Sequence, residues 1–157
     1  MIQQKYLTKE QALQKAKHYC GYQERNHSEV KEKLYSLGLW KKDVEEIIST
    51  LIEENYLNED RFAIQYARGK FGLKRWGRVK IKYALKQKQV SVHSIKNAMD
   101  QIAENDYQKT LNKLAEQKLK TLKSEKDIFN KKRKLRDYLL QKGYEETRIR
   151  KVLVNIE

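Results

Sequence analysis

Arg75-Trp76-Gly77-Arg78-Val79-Lys80-Ile81-Lys82-Tyr83-Ala84-Leu85-Lys86 is the stretch from which the fold can be read. Ile81 and Leu85 stand four residues apart, the spacing of one helical face. The same pair recurs as Val30 and Leu34, 51 residues earlier, and as Leu135 and Leu139, 54 residues later. Counting from the second member of each pair, Leu39, Val90 and Tyr144 follow at five and Val44, Ile95 and Ile149 at ten. Ile47/Ile48, Ala98/Met99 and Val152/Leu153 follow at thirteen and fourteen, and Leu51, Ile102 and Ile156 at seventeen. An apolar position that returns at every one of these offsets marks a tandem structural repeat.

The spacing predicts what each copy is. The pair lies on one helix, and the positions from ten to seventeen lie on one face of a second. Gly38 and Gly143 fall between them, where a helix end favours a left-handed residue. The middle copy has Gln89 there, which must bear that conformation or cap differently. A further helix precedes each pair. One is expected from about Thr8 to Gln23, with a Thr8…Gln11 capping box and Leu13, Ala16 and Tyr19 or Cys20 inward. The next starts at the N-cap Asn58, with Glu59 and Asp60 on the dipole and Phe62, Ala63, Tyr66 and Ala67 inward. The last runs from about Asp106 to Leu122 with Leu111, Leu114 and Leu119 inward, and Ser124…Asp127 marks another helix start. The expectation is an all-α chain of about nine helices, with three-helix repeats at 1–57, 58–103 and 104–157. Each unit is small, so stacking of neighbours would complete the cores. An elongated array, curved or straight, and one compact all-α globule both remain open.

The chain has 157 residues, of which 36% are charged and 39% hydrophobic, so a core is available and disorder is not expected. Cys20 is the only cysteine, which excludes an internal disulfide and any CxxC site. Met1-Ile2-Gln3-Gln4-Lys5 has no apolar segment of the signal-peptide kind, and no apolar run suits a membrane span. The net charge of +14 is unevenly placed: 0 over residues 1–57, +8 over 58–103 and +6 over 104–157. From Arg61 to Met99 there is no acidic residue. A basic middle and end suggest a polyanionic partner.

Candidate catalytic groups are sparse. His18, His27 and His93 form no metal-ligand spacing, and no metal or cofactor is expected. Glu45-Glu46 and Glu53-Glu54 suit a solvated helix face better than acid–base catalysis, and Cys20 suits a buried small hydrophobe. The chain is therefore not expected to be an enzyme. The basic surface is the stronger signal. With Ile81 and Leu85 inward, Arg78, Lys82 and Lys86 should form an outward stripe that Lys74 and Arg75 extend. The aligned stripe is Lys132 and Arg136 in the third copy and His27, Lys31 and Tyr35 in the first. Cations at a helix start oppose its dipole, so Lys74, Arg75 and Arg78 are expected there for an outside partner. Arg25, Lys31, Arg68, Lys70 and Trp76 are further candidate contacts. Trp76 is expected to pack as a hydrophobic staple, with stacking on a base or partner as the alternative, and Trp40 is expected in the core.

Three blocks resemble the RecX family of bacterial recombination regulators. They are Arg25-Asn26-His27-Ser28 with Val30, Lys33-Leu34 and Gly38; Tyr56-Leu57-Asn58-Glu59-Asp60-Arg61-Phe62-Ala63 with Tyr66; and Trp76-Gly77 with Ile81, Leu85 and Val90. Gln89 departs from the family's glycine before Val90, and the third unit carries the periodicity but little of the motif. The resemblance implies three tandem three-helix repeats in a cytoplasmic, monomeric protein without catalytic centre or cofactor. It also implies binding in the groove of the RecA recombinase filament on single-stranded DNA, inhibiting strand exchange and ATP hydrolysis. Homologous recombination, DNA repair and the SOS response are the implied setting. The residues alone leave a second reading, a stand-alone helix-turn-helix-like protein that binds bare DNA.

Overall fold

A computed structural model describes residues 7–156. The segment Met1–Lys5, in which no signal peptide is expected, lies outside them. The described residues form nine α-helices. They are α1 (Lys9–Tyr22), α2 (His27–Ser36), α3 (Lys41–Glu53), α4 (Glu59–Lys74), α5 (Arg78–Gln87), α6 (Val92–Asp100), α7 (Glu104–Thr121), α8 (Ile128–Lys142) and α9 (Glu146–Val154). Thr8 and Gln11 make the expected capping box, and Asn26, Asn58 and Ser91 accept from the third backbone N–H of their helices. The start of α8 is capped by Asp127 itself, not by Ser124, because the Asp127 carboxylate accepts from the Phe129 N–H at 2.9 Å.

The repeat anchors form the core. Val30, Leu34, Ile81, Leu85, Leu135 and Leu139 are all fully buried. Their clusters divide unevenly, however. Helices α1–α3 enclose one apolar core of their own, whereas α4–α9 share a single core. The join between α5 and α8 explains the sharing. The Gly77 N–H donates to the Lys142 carbonyl at 2.8 Å and the Val79 N–H to the Gly143 carbonyl at 2.9 Å. The open donors at the start of α5 thus meet the open acceptors at the end of α8. A Cβ on Gly77 would lie 2.2 Å from the Gly143 oxygen, so glycine is what permits the approach.

Two expected core positions differ. On α1 the buried residues are Ala12, Ala16 and Cys20, with Leu13 and Tyr19 only partly covered. Three small side chains at four-residue spacing let α1 lie close against its neighbours. Trp40 is not in the core: it is 83% exposed. Leu39 fills the buried position one residue earlier, so the extended backbone at Trp40 turns its ring outward at the start of α3. Trp40 makes no side-chain cap either.

Gln89 takes the left-handed conformation at φ 62°, as Gly38 does at 88°. The turn closes as a Schellman motif, with the Val90 N–H donating to Leu85 at 3.1 Å. Gln89→Gly is expected to raise stability by about 1 kcal/mol, read by urea denaturation, because glycine occupies this region without Cβ strain. A loss of stability would show that the 3.1 Å bond from the Ser28 hydroxyl to the Gln89 carboxamide outweighs that relief. Arg61 also ties the first unit to the rest. Its guanidinium meets Glu24 and donates to the Asn55 and Tyr56 carbonyls at 3.0 and 3.3 Å.

Candidate functional site

The acid-free run spreads over α4, α5 and α6. On α5, Ile81 and Leu85 face the core, and Lys82 and Lys86 are exposed together with Val79 and Tyr83. Lys82 and Lys86 form no salt bridge among the described residues. This half of the expected stripe is therefore a free cationic surface with an apolar centre.

Arg78 does not belong to it. Its side chain is 17% exposed and turned toward the third unit. The guanidinium carbon sits 3.9 Å from the Tyr107 ring centroid, one nitrogen donates to the Ile102 carbonyl at 3.1 Å, and Glu104 lies at 3.4 Å. Position 78 is the first of the helix, where the backbone turns in from Gly77, so the side chain is directed across the inter-unit seam. Arg148 packs on Tyr107 at 4.9 Å and also binds Glu104, holding that carboxyl below its usual range. Tyr107 accepts from the Arg78 N–H at 3.0 Å and donates to Glu145, and burial raises its phenol pKa well above the ordinary value. Sequence reasoning did not single out Tyr107, Glu104, Glu145 or Arg148, and it placed Arg78 on the outward stripe instead of against Tyr107. The signal was present: Tyr107 stands four residues after its N-cap, as Phe62 does after Asn58.

Lys74 and Arg75 also change meaning. They close α4 rather than open α5, and cations suit the negative end of a helix. Their placement is locally favourable, contrary to the expectation from the sequence. Arg75 is the left-handed cap at φ 57°; its carbonyl accepts from the Tyr144 hydroxyl at 3.0 Å and its guanidinium donates to Gln117 at 3.0 Å. Lys74 is exposed, and its carbonyl accepts from the Lys142 ammonium at 3.4 Å. Trp76 packs against the shared core, flanked by Lys70 at 4.9 Å and Lys80 at 4.6 Å. It acts as packing, with two cations on its ring. Lys70 also approaches Tyr66 at 5.5 Å, and Arg68 is exposed on α4.

In the third unit Lys132 is half-buried without a salt bridge among the described residues, whereas Arg136 is paired with Glu146 at 2.6 Å. In the first unit Lys31 is exposed. Arg25 is engaged internally, stacked 3.8 Å from the Tyr19 ring centroid and 3.7 Å from Glu29. The candidate contacts thus separate into free cations, namely Arg68, Lys74, Lys82, Lys86, Lys132 and Lys31, and cations spent inside the fold. The acidic pairs along α3 lie at the solvated surface, as expected, and two of their members are paired across to α1: Glu46 meets Lys9 and Glu54, the C-cap of α3, meets Lys17 at 2.9 Å, tying α3 to α1.

Among the described residues, no group of three or more His, Cys, Asp or Glu side chains could hold a metal ion. Cys20 is buried, and desolvation raises its thiol pKa. No helix among the described residues is long and apolar enough to cross a membrane.

Two family models match the chain: the second three-helix domain of RecX over residues 58–99, and the third over residues 104–153. The chain belongs to the RecX family. Among RecX relatives, the regulatory protein RecX of Clostridium tetani is 38% identical over 74% of this chain and 53% of its own length. That of Prosthecochloris aestuarii is 28% identical over 90% of this chain and 91% of its own. The chain spans about half the length of the clostridial relatives it matches. The crystal structure of RecX from Lactobacillus salivarius superposes with a TM-score of 0.83 at 27% identity, covering 93% of this chain and 94% of that one. The three-helix repeats are thus a family property. The seam residues Gly77, Arg78 and Tyr107 fall within the two matched domains.

Proposed function

We propose that this chain is a regulator that binds RecA recombinase filaments on DNA and inhibits their strand exchange and ATP hydrolysis. RecX-family membership and the naming of the relatives as regulatory proteins support the reading. The observation that carries it is the free cationic stripe of α5, with further cations on α4 and α8. Lys82 and Lys86 project from α5 without salt-bridge partners among the described residues, Arg68 and Lys74 lie exposed on α4, and Lys132 takes the aligned place on α8. A filament presents phosphates and acidic protein together, and such a surface attracts unpaired lysines. The protein acts as a cytoplasmic monomer without cofactor, meeting the single strand within the filament. Its working units are the repeats at 1–57, 58–103 and 104–157.

The test is a triple charge reversal, Lys82→Glu, Lys86→Glu and Lys132→Glu, titrated into RecA–single-stranded DNA while ATP hydrolysis is followed. Affinity is expected to fall by roughly tenfold or more at low salt. Stability should stay within about 1 kcal/mol, because none of the three is spent in the fold. Unchanged affinity would sink the reading. Arg78 is left out of the set because its loss would unfold the seam.

A second reading is a stand-alone DNA-binding protein. The observation in its favour is that Val79 and Tyr83 lie exposed on α5 beside Lys82 and Lys86, a composition suited to a helix laid along a groove. It requires tight, salt-dependent binding to bare DNA. Tight filament binding with weak bare-DNA binding rejects it.

A further inference from the structure

The first unit has no net charge, yet one of its faces is cationic and aromatic. A groove of about 590 Å³ runs between α1 and α2, within the size range of small-ligand sites. Lys15, His18 and Tyr22 line it from one stripe of α1, at spacings of three and four residues. Lys33 of α2 and Arg25 of the connecting segment close the other side. Among the described residues no carboxylate lines the groove; Glu29, the acid paired with Arg25, stands outside it.

The walls are of two kinds. Arg25 is fixed: its Nε donates to the Tyr19 carbonyl at 3.1 Å, and its guanidinium covers the Tyr19 ring. Lys33 approaches the same ring at 5.6 Å. Tyr22, in contrast, is 80% exposed, and its ring has neither an aromatic nor a cationic neighbour among the described residues. An uncovered ring at the rim of a groove lined by cations and free of acids is a stacking platform beside a phosphate track.

We propose that this groove binds a short segment of single-stranded nucleic acid, with a base stacked on Tyr22 and phosphates on Lys15 and Lys33. Lys15 and Tyr22 are separated by about 10 Å along the helix, room for more than one nucleotide. Lys15 and Lys33 stand on different helices, α1 and α2, which suits two phosphates of one strand better than the single phosphate group of a free nucleotide. Stacking tolerates any base, so the site has little sequence preference. An acidic peptide would satisfy the cations but leave the flat face of Tyr22 without a matching partner. This goes beyond the filament reading: it concerns a different unit and requires no recombinase.

The test uses the isotopically labelled full-length chain, followed by NMR. It is titrated separately with oligothymidylate, an abasic strand of equal length, thymidine monophosphate and an oligoglutamate peptide. Oligothymidylate should shift the Tyr22, His18 and Lys33 resonances, and the abasic strand should do so more weakly. Tyr22→Ala should weaken the groove response by roughly tenfold while leaving the Lys82 and Lys86 responses on α5 unchanged. Tyr22→Phe should restore it. Tyr22 is exposed, so these variants keep the fold. Four outcomes overturn the proposal: shifts confined to α5 and α8, equal response to the abasic strand, saturation by the mononucleotide as tight as by the strand, or a stronger response to oligoglutamate. Because RecA is absent throughout, failure here is separable from failure of the filament reading.

Discussion

Gly77→Ala is expected to cost roughly 3 kcal/mol or more of stability, read as a lowered urea midpoint with an unchanged slope. The added methyl would lie 2.2 Å from the Gly143 oxygen and 2.4 Å from its carbonyl carbon, both backbone atoms that cannot rotate away. Backbone conformation is not the reason. Gly77 has φ −76°, which alanine adopts freely. The cost arises because the ends of α5 and α8 must separate, losing the two backbone bonds between them. Gly143 is equally confined: a Cβ there would lie 2.3 Å from the Lys80 Cβ, so both glycines of the join are needed for the close approach. Gly69→Ala and Gly72→Ala are the controls. Both sit inside α4 with open space around them, so alanine should gain about 0.5–1 kcal/mol at each. Equal effects at Gly77 and Gly69 would show that the seam yields.

Arg78→Ala should cost about 2–3 kcal/mol, whereas Lys82→Ala should stay within about 0.5 kcal/mol. The two side chains are four residues apart on one helix, yet only Arg78 crosses the seam. Removing it leaves the Ile102 carbonyl without that donor and uncovers one side of the Tyr107 ring. The ion pair with Glu104 adds little, because that carboxylate is mostly exposed. Denaturation of the two variants side by side checks the assignment. If both behave as surface lysines do, Arg78 belongs to the binding face after all. The pair also separates binding from stability: filament affinity should track Lys82 at constant fold, and Arg78 only through unfolding.

How much was legible in the sequence follows from what kind of constraint each residue obeys. The anchors Ile81 and Leu85 were legible because burial must repeat with the helical period, and period survives in sequence. Caps were legible where one side chain reaches its own helix, as with Thr8 and Asn58. Arg78 was misplaced because periodicity locates a Cα on a helix but not the direction of a long side chain at its first turn. Trp40 was misplaced because hydrophobicity alone does not say which of two neighbours, Leu39 or Trp40, takes the one buried place. Lys74 and Arg75 were misread because the boundary between α4 and α5 falls at Arg75, and a cation changes from unfavourable to favourable when the helix end nearest to it changes sign.

By itself the sequence determined that the chain is all-α, that its helices recur in threes, that no catalytic cluster is spelled out, and that the middle is free of acid. These are local or periodic properties, fixed by spacing and composition. Tertiary structure alone decided that the second and third units share one core while the first keeps its own. It also decided which cations of the Arg75–Lys86 stretch remain free. Both depend on residues far apart in the chain meeting at one seam: Gly77 with Gly143, and Arg78 with Tyr107 and Glu104. Only when α5 closes against α7 and α8 is Arg78 drawn into the seam, leaving Lys82 and Lys86 exposed.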